Sequence, residues 1–281
     1  MSDSLLYVVS TPIGNLGDMT PRAVEVLRRV DVIAAEDTRH SRRLMNHFGI
    51  DTPLIPCHDF NERQQAQSII QRMRQGESVA LISDAGTPLI SDPGFFLVRS
   101  VREAGFAVVP VPGSCAFVAA LSVSGLPTDR FFFEGFLPAK GAARRKRLES
   151  LATFPATWGV YESPHRIMDL MADLIAVIGP ERYIAVAREI TKTFETVLVG
   201  SVSEVLAMMQ ADSNQQRGEF VVLIEGYKEV ATDVIEPQVS KMLVRLMAEL
   251  PIKKAAAVVA DLTGVRKKEL YELGMKIRSG H

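Results

Sequence analysis

The chain has 281 residues, of which 47% are hydrophobic and 23% charged. This composition excludes a largely disordered protein, and the length leaves room for two domains and an appendage. The net charge of −1 hides an asymmetry, because residues 238–281 carry nine basic and four acidic side chains. A basic tail on an acidic body suggests an anionic partner, although a solvated helical surface would show the same charges.

The first residues and the cysteines bear on the cellular compartment. Residues 1–4 lack the basic segment of a secretory signal, and no apolar run approaches the length of a membrane span. Cys57 and Cys115 are the only cysteines, too few for a disulfide framework or a four-ligand metal site. We therefore expect a cytoplasmic protein without a membrane partner.

Strands and helices alternate over residues 1–126, which we predict to be an N-terminal α/β domain. Apolar runs predict strands, and periodic apolar residues predict helices starting at Pro21 and over 62–75 and 95–104. The predicted strands are Leu5–Val9, Val32–Ala35, Val79–Ile82 and Ala107–Val111. This alternation indicates a parallel sheet with right-handed crossovers.

Residues 127–228 show a second alternating pattern and are predicted to form a second α/β domain. Helices are expected over Ile167–Ile178 and 201–210. The strands are expected at Thr157–Tyr161, Tyr183–Ala187, Phe194–Val199 and Phe220–Ile224. We predict that the last two strands form an antiparallel pair, so that this sheet is mixed.

The remaining residues predict a linker and a small helical domain. Glu229–Pro237 is the predicted linker, and 238–281 is the predicted domain. Its helices are expected over 238–249, 252–262 and 266–277. Because a tight turn separates the last two helices, this tail resembles a helix-turn-helix.

Three loops rich in glycine and proline follow strands of the first domain, at residues 10–18, 83–94 and 110–116. Ligands bind beyond the carboxyl ends of parallel strands. Glycine permits close backbone approach to a ligand, and proline stiffens a loop. We therefore predict a cradle for a ligand, the alternative being that each loop is simply a tight turn.

The loops lack both common phosphate-binding fingerprints and contain no lysine, which disfavours a nucleotide phosphate. His40, His47 and His58 have no metal-ligand spacing, so we expect no metal. No nucleophile elbow of an α/β-hydrolase is present. Cys115 is interpreted as a small residue packed against the ligand rather than as a nucleophile.

Several motifs, read together, resemble the tetrapyrrole-methylase superfamily of S-adenosylmethionine (SAM)-dependent methyltransferases. Within it they are most similar to the bacterial (cytidine-2′-O)-methyltransferases of small-subunit ribosomal RNA. The resemblance spans essentially the whole chain. The matching segments are Ser10–Asp18 (STPIGNLGD), Glu36–Arg39 (EDTR), Ser83–Gly94 (SDAGTPLISDPG), Val111–Ser114 (VPGS), Tyr161–Arg166 (YESPHR), Arg188–Lys192 (REITK), Gly218–Val221 (GEFV) and the tail Leu250–Leu273.

This resemblance implies a fold and a cofactor. Two α/β domains would hold SAM between them, usually in a homodimer, and the reaction would be 2′-O-methylation of a cytidine in 16S ribosomal RNA. Thr87 replaces the acid of the superfamily's common Gly-Asp-Pro, so a role for that carboxylate does not carry over. The cofactor-binding residues implied are Pro12, Gly14, Gly86, Thr87, Ile90, Cys115, Ala116, Glu162, Arg188 and Phe220.

The implied reaction also needs residues for catalysis and for RNA. A base or a cation near the acceptor hydroxyl would help, and the candidates are Glu36, Asp37 and Lys192, which could instead form interdomain or dimer salt bridges. RNA requires phosphate contacts. The predicted RNA-binding residues are Lys140, Arg144, Arg145, Arg147, Arg266 and Lys267.

Two other functions stay open at this stage. A small-molecule tetrapyrrole methyltransferase would share the fold and the methyl donor but has no use for a basic tail. A nucleic-acid-binding regulator that senses SAM would bind the cofactor and nucleic acid without turnover.

Overall fold

The computed structural model describes residues 4–228 and 237–279, which belong to two compact units. The first unit ends at Tyr227 and contains two five-stranded sheets. No helix within the described ranges is both long enough and apolar enough to cross a membrane.

The first sheet is entirely parallel, as predicted, and its strand order is β3-β2-β4-β1-β5. All residues of β2 and β4 are buried, because helices cover both faces of the sheet. Since β4, β1 and β5 are neighbours, the three loops that follow them leave the same edge side by side. The strands are β1 (Leu5–Val9), β2 (Val32–Ala35), β3 (Leu54–Pro56), β4 (Val79–Ile82) and β5 (Ala107–Val111).

Five helices accompany this sheet. Thr20 caps the first of them and Pro21 occupies its first turn, which is the expected chemistry of a helix start. The helices are α1 (Pro21–Arg29), α2 (Thr38–His47), α3 (Glu62–Arg74), α4 (Phe95–Glu103) and α5 (Ala116–Val123). The sequence reading did not anticipate β3, α2 or α5.

The second sheet has the order β6-β7-β10-β8-β9 and is mixed, as predicted. The predicted pairing of 194–199 with 220–224 is wrong, because β8 lies between these strands. The loop 189–195 joins β8 to β9 as a hairpin, which leaves the other edge of β8 for β10. The strands are β6 (Phe131–Phe136), β7 (Thr157–Glu162), β8 (Tyr183–Arg188), β9 (Thr196–Ser201) and β10 (Phe220–Ile224).

The two faces of the second sheet are covered differently. On one face, the buried Trp158 belongs to a core shared with three helices, α6 (Gly141–Leu151), α7 (Ile167–Ile178) and α8 (Val202–Ala211). On the other face, Phe117 and Leu121 of α5 pack against Ala185 and Leu223. The helix that leaves the third loop of the first sheet is therefore part of the core of the second.

The second unit contains the three helices expected from the sequence, α9 (Pro237–Met247), α10 (Ile252–Thr263) and α11 (Lys267–Ser279). Its core includes Leu243, Val259 and Leu270, one residue from each helix. Most of the predicted linker, residues 229–236, lies outside the described residues, and Pro237 begins α9.

Candidate active site

A cavity of about 370 Å³ lies between the loops of the first sheet and the second sheet. This volume falls within the range of small-molecule sites, about 300–1,000 Å³. Eight of the predicted site residues line it, namely Gly86, Thr87, Ile90, Cys115, Ala116, Glu162, Lys192 and Phe220. The structure brings these residues together from five separate segments of the chain.

Backbone and hydroxyl hydrogen bonds join the three loops. Thr11 and Gly86 exchange backbone hydrogen bonds of 2.8 and 3.1 Å, which connects the first loop to the second. Thr87 Oγ1 lies 2.8 Å from Ser10 Oγ and donates to the carbonyl of Ser114 at 2.9 Å. The Thr87 hydroxyl thus contacts both other loops, and a carboxylate could not donate in its place.

Backbone strain is concentrated beside the cavity. Among the described residues, four non-glycine residues have positive φ, namely Leu89 (73°), Ser91 (65°), Glu189 (50°) and Thr191 (66°). All four lie in the loops 83–94 and 189–195. Such conformations cost of order 1–3 kcal/mol each and cluster at ligand sites.

Gly86 also has positive φ, +82°, and a Cβ there would lie 3.2 Å from Ile13 Cγ2. We expect Gly86→Val to lower SAM affinity by more than about tenfold relative to a matched Gly105→Val variant. Gly105 has a similar φ of +86° but open space around it, so both variants carry backbone strain of about 1–3 kcal/mol and only one narrows the cavity. Calorimetric titration with SAM would measure the difference, and equal affinities would remove Gly86 from the site.

The second sheet supplies the opposite wall through Glu162 and Phe220, which are paired neighbours on β7 and β10. Glu162 is buried, and its Oε1 accepts the N–H of Ser163 at 2.9 Å. Its Oε2 lies 3.2 Å from Arg166 Nη2 without a hydrogen bond. Arg166 instead directs that nitrogen to the carbonyls of Leu137 and Pro138. Glu162 is therefore held on the wall by the Ser163 N–H and by its ion pair with Arg166.

Lys192 is fixed on the cavity wall as a cation. Its Nζ donates to Glu189 Oε1 and Glu219 Oε2, both at 2.8 Å. Burial lowers the pKa of Lys192, but these two hydrogen bonds raise it more, so the net pKa is above its usual value. The side-chain stem covers Gly14, where any Cβ would collide with it. Lys192 thus joins the first loop to the hairpin 189–195 and cannot serve as a base.

Three carboxylates approach one another at the edge of the first sheet. Asp92 lines the cavity, and burial raises its pKa to about 6, with further increases from the charges of Glu36, Asp84 and Asp59 and a decrease from a hydrogen bond to Ser83. Burial also raises the pKa of Glu36, which accepts the N–H of Asp84 at 3.4 Å. Asp92 is therefore the wall carboxylate that titrates close to neutral pH.

Asp37 has a structural role at the start of α2, and its predicted catalytic role stays a prediction. Its Oδ1 caps α2 by accepting the N–H groups of Arg39 at 2.8 Å and His40 at 3.4 Å. Hydrogen bonds from the Arg39 side chain and backbone lower the pKa of Asp37 to about 2. A carboxylate this acidic is a poor base at neutral pH.

Other predicted site residues lie outside the cavity wall. Pro12 is buried beneath the first loop, and Gly14 contacts the site only through Lys192. Arg188 points away from the wall, because it donates to the carbonyls of Arg217 and Phe194 at 2.5 and 2.7 Å. Arg188 thus holds the adjoining loops, and its predicted contact with the cofactor stays a prediction.

The basic run on α6 is only partly available to RNA. Arg144 is 4% exposed and pairs with Asp173 at 2.6 Å, so its predicted phosphate contact is wrong. Arg145 pairs with Asp173 and Arg147 with Glu134, but both are about half exposed. The neighbouring Lys140 is exposed.

In the second unit, Arg266 and Lys267 lie at the start of α11. Both are exposed, and Arg266 forms an ion pair with Glu269. Their predicted contacts with RNA stay predictions.

Several cavity residues were not among the predicted site residues, and they include Asp92, Tyr161, Glu189 and Phe136. Asp92 lies inside the loop 83–94 (SDAGTPLISDPG), where an acid next to proline and glycine could have indicated a site residue. No comparable signal marks Phe136, since its position depends on an irregularity in β6. Among the described residues, no group of three potential ligands is arranged to hold a metal ion.

Comparisons with known proteins agree with the fold. The family model described as tetrapyrrole (corrin/porphyrin) methylases matches residues 5–206, and one described as the RsmI C-terminal HTH domain matches 233–278. The chain therefore belongs to the tetrapyrrole methylase family and is a SAM-dependent methyltransferase. The fold class and enzyme class predicted from the sequence are confirmed.

Curated relatives match the chain over nearly its full length. It is 55% identical over 277 residues to the ribosomal RNA small subunit methyltransferase I of Pseudomonas aeruginosa, with 98% of each chain covered. It is 50% identical over 275 residues to the protein of the same name from Escherichia coli O157:H7, covering 98% of this chain and 96% of that one.

A solved structure supports the fold alone. The uroporphyrin-III-C-methyltransferase from Thermus thermophilus superposes with a TM-score of 0.55 at 20% identity, over 79% of this chain and 94% of that one.

Proposed function

We propose that this enzyme transfers a methyl group from SAM to the ribose 2′-oxygen of a cytidine in 16S ribosomal RNA. The proposal is carried by identities of 50–55%, over nearly the whole chain, to relatives named ribosomal RNA small subunit methyltransferase I. The choice of the 2′-oxygen as the acceptor atom, and of a cytidine as the acceptor nucleotide, is inferred from the resemblance of the sequence motifs. We further propose that the enzyme acts in the cytoplasm as a homodimer.

The cavity wall suits SAM better than a phosphorylated cofactor. Its only lysine or arginine among the described lining residues, Lys192, already pairs with two carboxylates. Small residues such as Gly86 and Ala116 let a ligand approach the backbone. The carboxylates of the wall, such as Asp92 and Glu162, suit a ligand with a sulfonium and an ammonium charge. The donor set therefore fits SAM.

The residues of the wall would divide the catalytic work. When bound, SAM supplies an electrophilic methyl group. The two walls would position the acceptor hydroxyl next to the bound donor, and such positioning is a major source of acceleration in a displacement. Asp92 would accept the proton of the 2′-hydroxyl. Lys192 holds the hairpin 189–195 in place and contributes a fixed positive charge.

Methyl transfer to purified small subunits tests the proposed function. Subunits from a strain that lacks the enzyme should accept label from SAM, and the label should map to a ribose that resists alkaline cleavage. Transfer to a precorrin-type tetrapyrrole without transfer to RNA would replace the proposal with the small-molecule alternative. Tight binding of SAM and nucleic acid without turnover on any RNA would indicate a regulator.

A further inference from the structure

Phe136 is an exposed aromatic residue on the wall of the cavity. It is the last residue of β6, it lines the cavity, and its side chain is 58% exposed. An aromatic ring of this size loses hydrophobic stabilisation when it faces water, so a ring fixed at a cavity mouth is typical of a binding surface.

A β-bulge directs Phe136 toward the cavity. Along β6, Phe133 is paired with Gly159 and Phe136 with Tyr161, so Glu134 is an extra residue in the strand. Gly135 has φ of +78°, which allows this irregularity. Without the extra residue, alternation would turn Phe136 to the opposite face, where Phe132 packs against the helices.

The ring of Phe136 is held in place from one side. It packs edge-on against Tyr161 with the ring centroids 5.7 Å apart. Tyr161 is fixed in turn, because its hydroxyl oxygen accepts the N–H of Phe117 at 3.1 Å. Arg166 holds the backbone that follows by donating to the carbonyls of Leu137 and Pro138. The ring is therefore preorganised while more than half of its surface stays open.

Basic residues follow Phe136 in the chain, and one of them contacts its strand. Arg147 forms a bidentate pair with Glu134, the bulge residue, at 2.6 Å for both contacts. The Arg147 side chain is still 42% exposed. Lys140 follows Phe136 by four residues, and both Lys140 and Lys146 are exposed. An exposed aromatic ring followed in the chain by exposed cations matches the chemistry of a nucleotide, which combines a base that stacks with a phosphate that is negatively charged.

We propose that the face of Phe136 stacks on the acceptor nucleobase and so positions its ribose at the cavity. The cations of α6 contact the flanking phosphates. This inference rests on the proposed function, because it requires an RNA acceptor. The ring is a positioning residue, and its expected effect is on the affinity for the RNA more than on the affinity for SAM.

The test compares Phe136→Ala, Phe136→Leu and Phe136→Trp with the wild-type enzyme on small ribosomal subunits. Loss of one base stack should raise KM and the Kd for subunits by about 5- to 100-fold in the alanine and leucine variants. Tryptophan should restore both values, and SAM affinity should stay within about twofold. Phe131→Ala is the matched control, because Phe131 is 51% exposed on the same strand but does not line the cavity. Its KM should be unchanged.

Three results would overturn the inference. The first is a Phe136→Ala or Phe136→Leu enzyme with the wild-type KM and Kd for subunits. The second is a parallel loss of SAM affinity, which would place the ring in the cofactor site. The third is a changed mass by sedimentation, which would make the ring a contact between copies. If the wild type transfers no methyl group to subunits, the proposed function fails, and the filter-binding Kd values still test the stacking.

Discussion

Replacing Asp92 with asparagine is expected to lower kcat with small subunits by about 10²- to 10⁴-fold at pH 7.5, the usual contribution of a general base. Asparagine keeps the shape of the side chain but cannot take a proton from the 2′-hydroxyl. The volume of the wall is preserved, and saturating SAM offsets any affinity lost with the carboxylate charge. Single-turnover methyl transfer with saturating SAM would measure the effect.

The pH profile gives a second measurement of the same role. Because the free carboxylate is the active form, wild-type activity should rise with pH through an apparent pKa near 6. The variant should lack this acid limb. Asp84→Asn is the matched control, since Asp84 does not line the cavity but its charge raises the pKa of Asp92. Removing that charge should shift the acid limb to lower pH and leave the maximal rate nearly intact.

Replacing Asp92 with asparagine should lower the activity but raise the stability of the folded protein at alkaline pH. The folded pKa of Asp92 lies above its usual value of 3.8, so the folded state binds the proton more tightly than the unfolded chain does. The resulting stabilisation is complete below about pH 4 and disappears as the pH rises through about 6. Asp92→Asn should therefore melt at a higher temperature than the wild type at pH 8. A variant that keeps the wild-type rate and acid limb would exclude Asp92 as the base.

Replacing Arg144 with alanine is expected to reduce the free energy of unfolding by about 3–5 kcal/mol, because it leaves a buried carboxylate without its main partner. Arg144 Nε donates to Asp173 Oδ2 at 2.6 Å, and the Asp173 side chain is itself only 9% exposed. The pair joins α6 to α7. Urea unfolding followed by circular dichroism would measure the loss.

Arg145→Ala is the matched control, because Arg145 contacts the same carboxylate from a position that is 49% exposed. An exposed pair contributes only about 0–1 kcal/mol. Loss of the Arg145 side chain should instead weaken RNA binding and reduce the salt dependence of that binding. Equal stability losses in the two variants, or weaker RNA binding in a folded Arg144→Ala protein, would contradict these separate roles.

The strands could be predicted where they consist of contiguous apolar residues, because such residues indicate burial. Leu5–Val9, Val79–Ile82 and Phe220–Ile224 have the predicted bounds, as does the edge strand Ala107–Val111, because each is a contiguous apolar run. The pattern of β6 and the polar residues of α2 were not recognised, since a β-bulge interrupts β6 and α2 starts at an Asp cap. Local patterns thus predicted the elements better than their order in the sheet.

Eight residues of the cavity wall could be predicted from the sequence motifs, but the electrostatics of the wall could not. Glycine and proline marked residues 83–94, but the raised pKa of Asp92 depends on Glu36 and Asp84, which other strands bring close to it. The charge run at 144–147 looked like one surface, yet helical spacing places Arg144 inside and its neighbours outside. Such through-space effects have no signature in a single sequence.

Helix α5 has a consequence for how ligands enter. It starts in the third loop of the first sheet, and Phe117 and Leu121 lie in the core of the second sheet. Pulling the two walls apart would expose these side chains at about 25 cal/mol per Å² of apolar surface. The two walls are therefore joined by shared core packing, which opposes a hinge motion that would separate them. The conformational entropy of ordering the walls is lost when the chain folds, before any ligand binds.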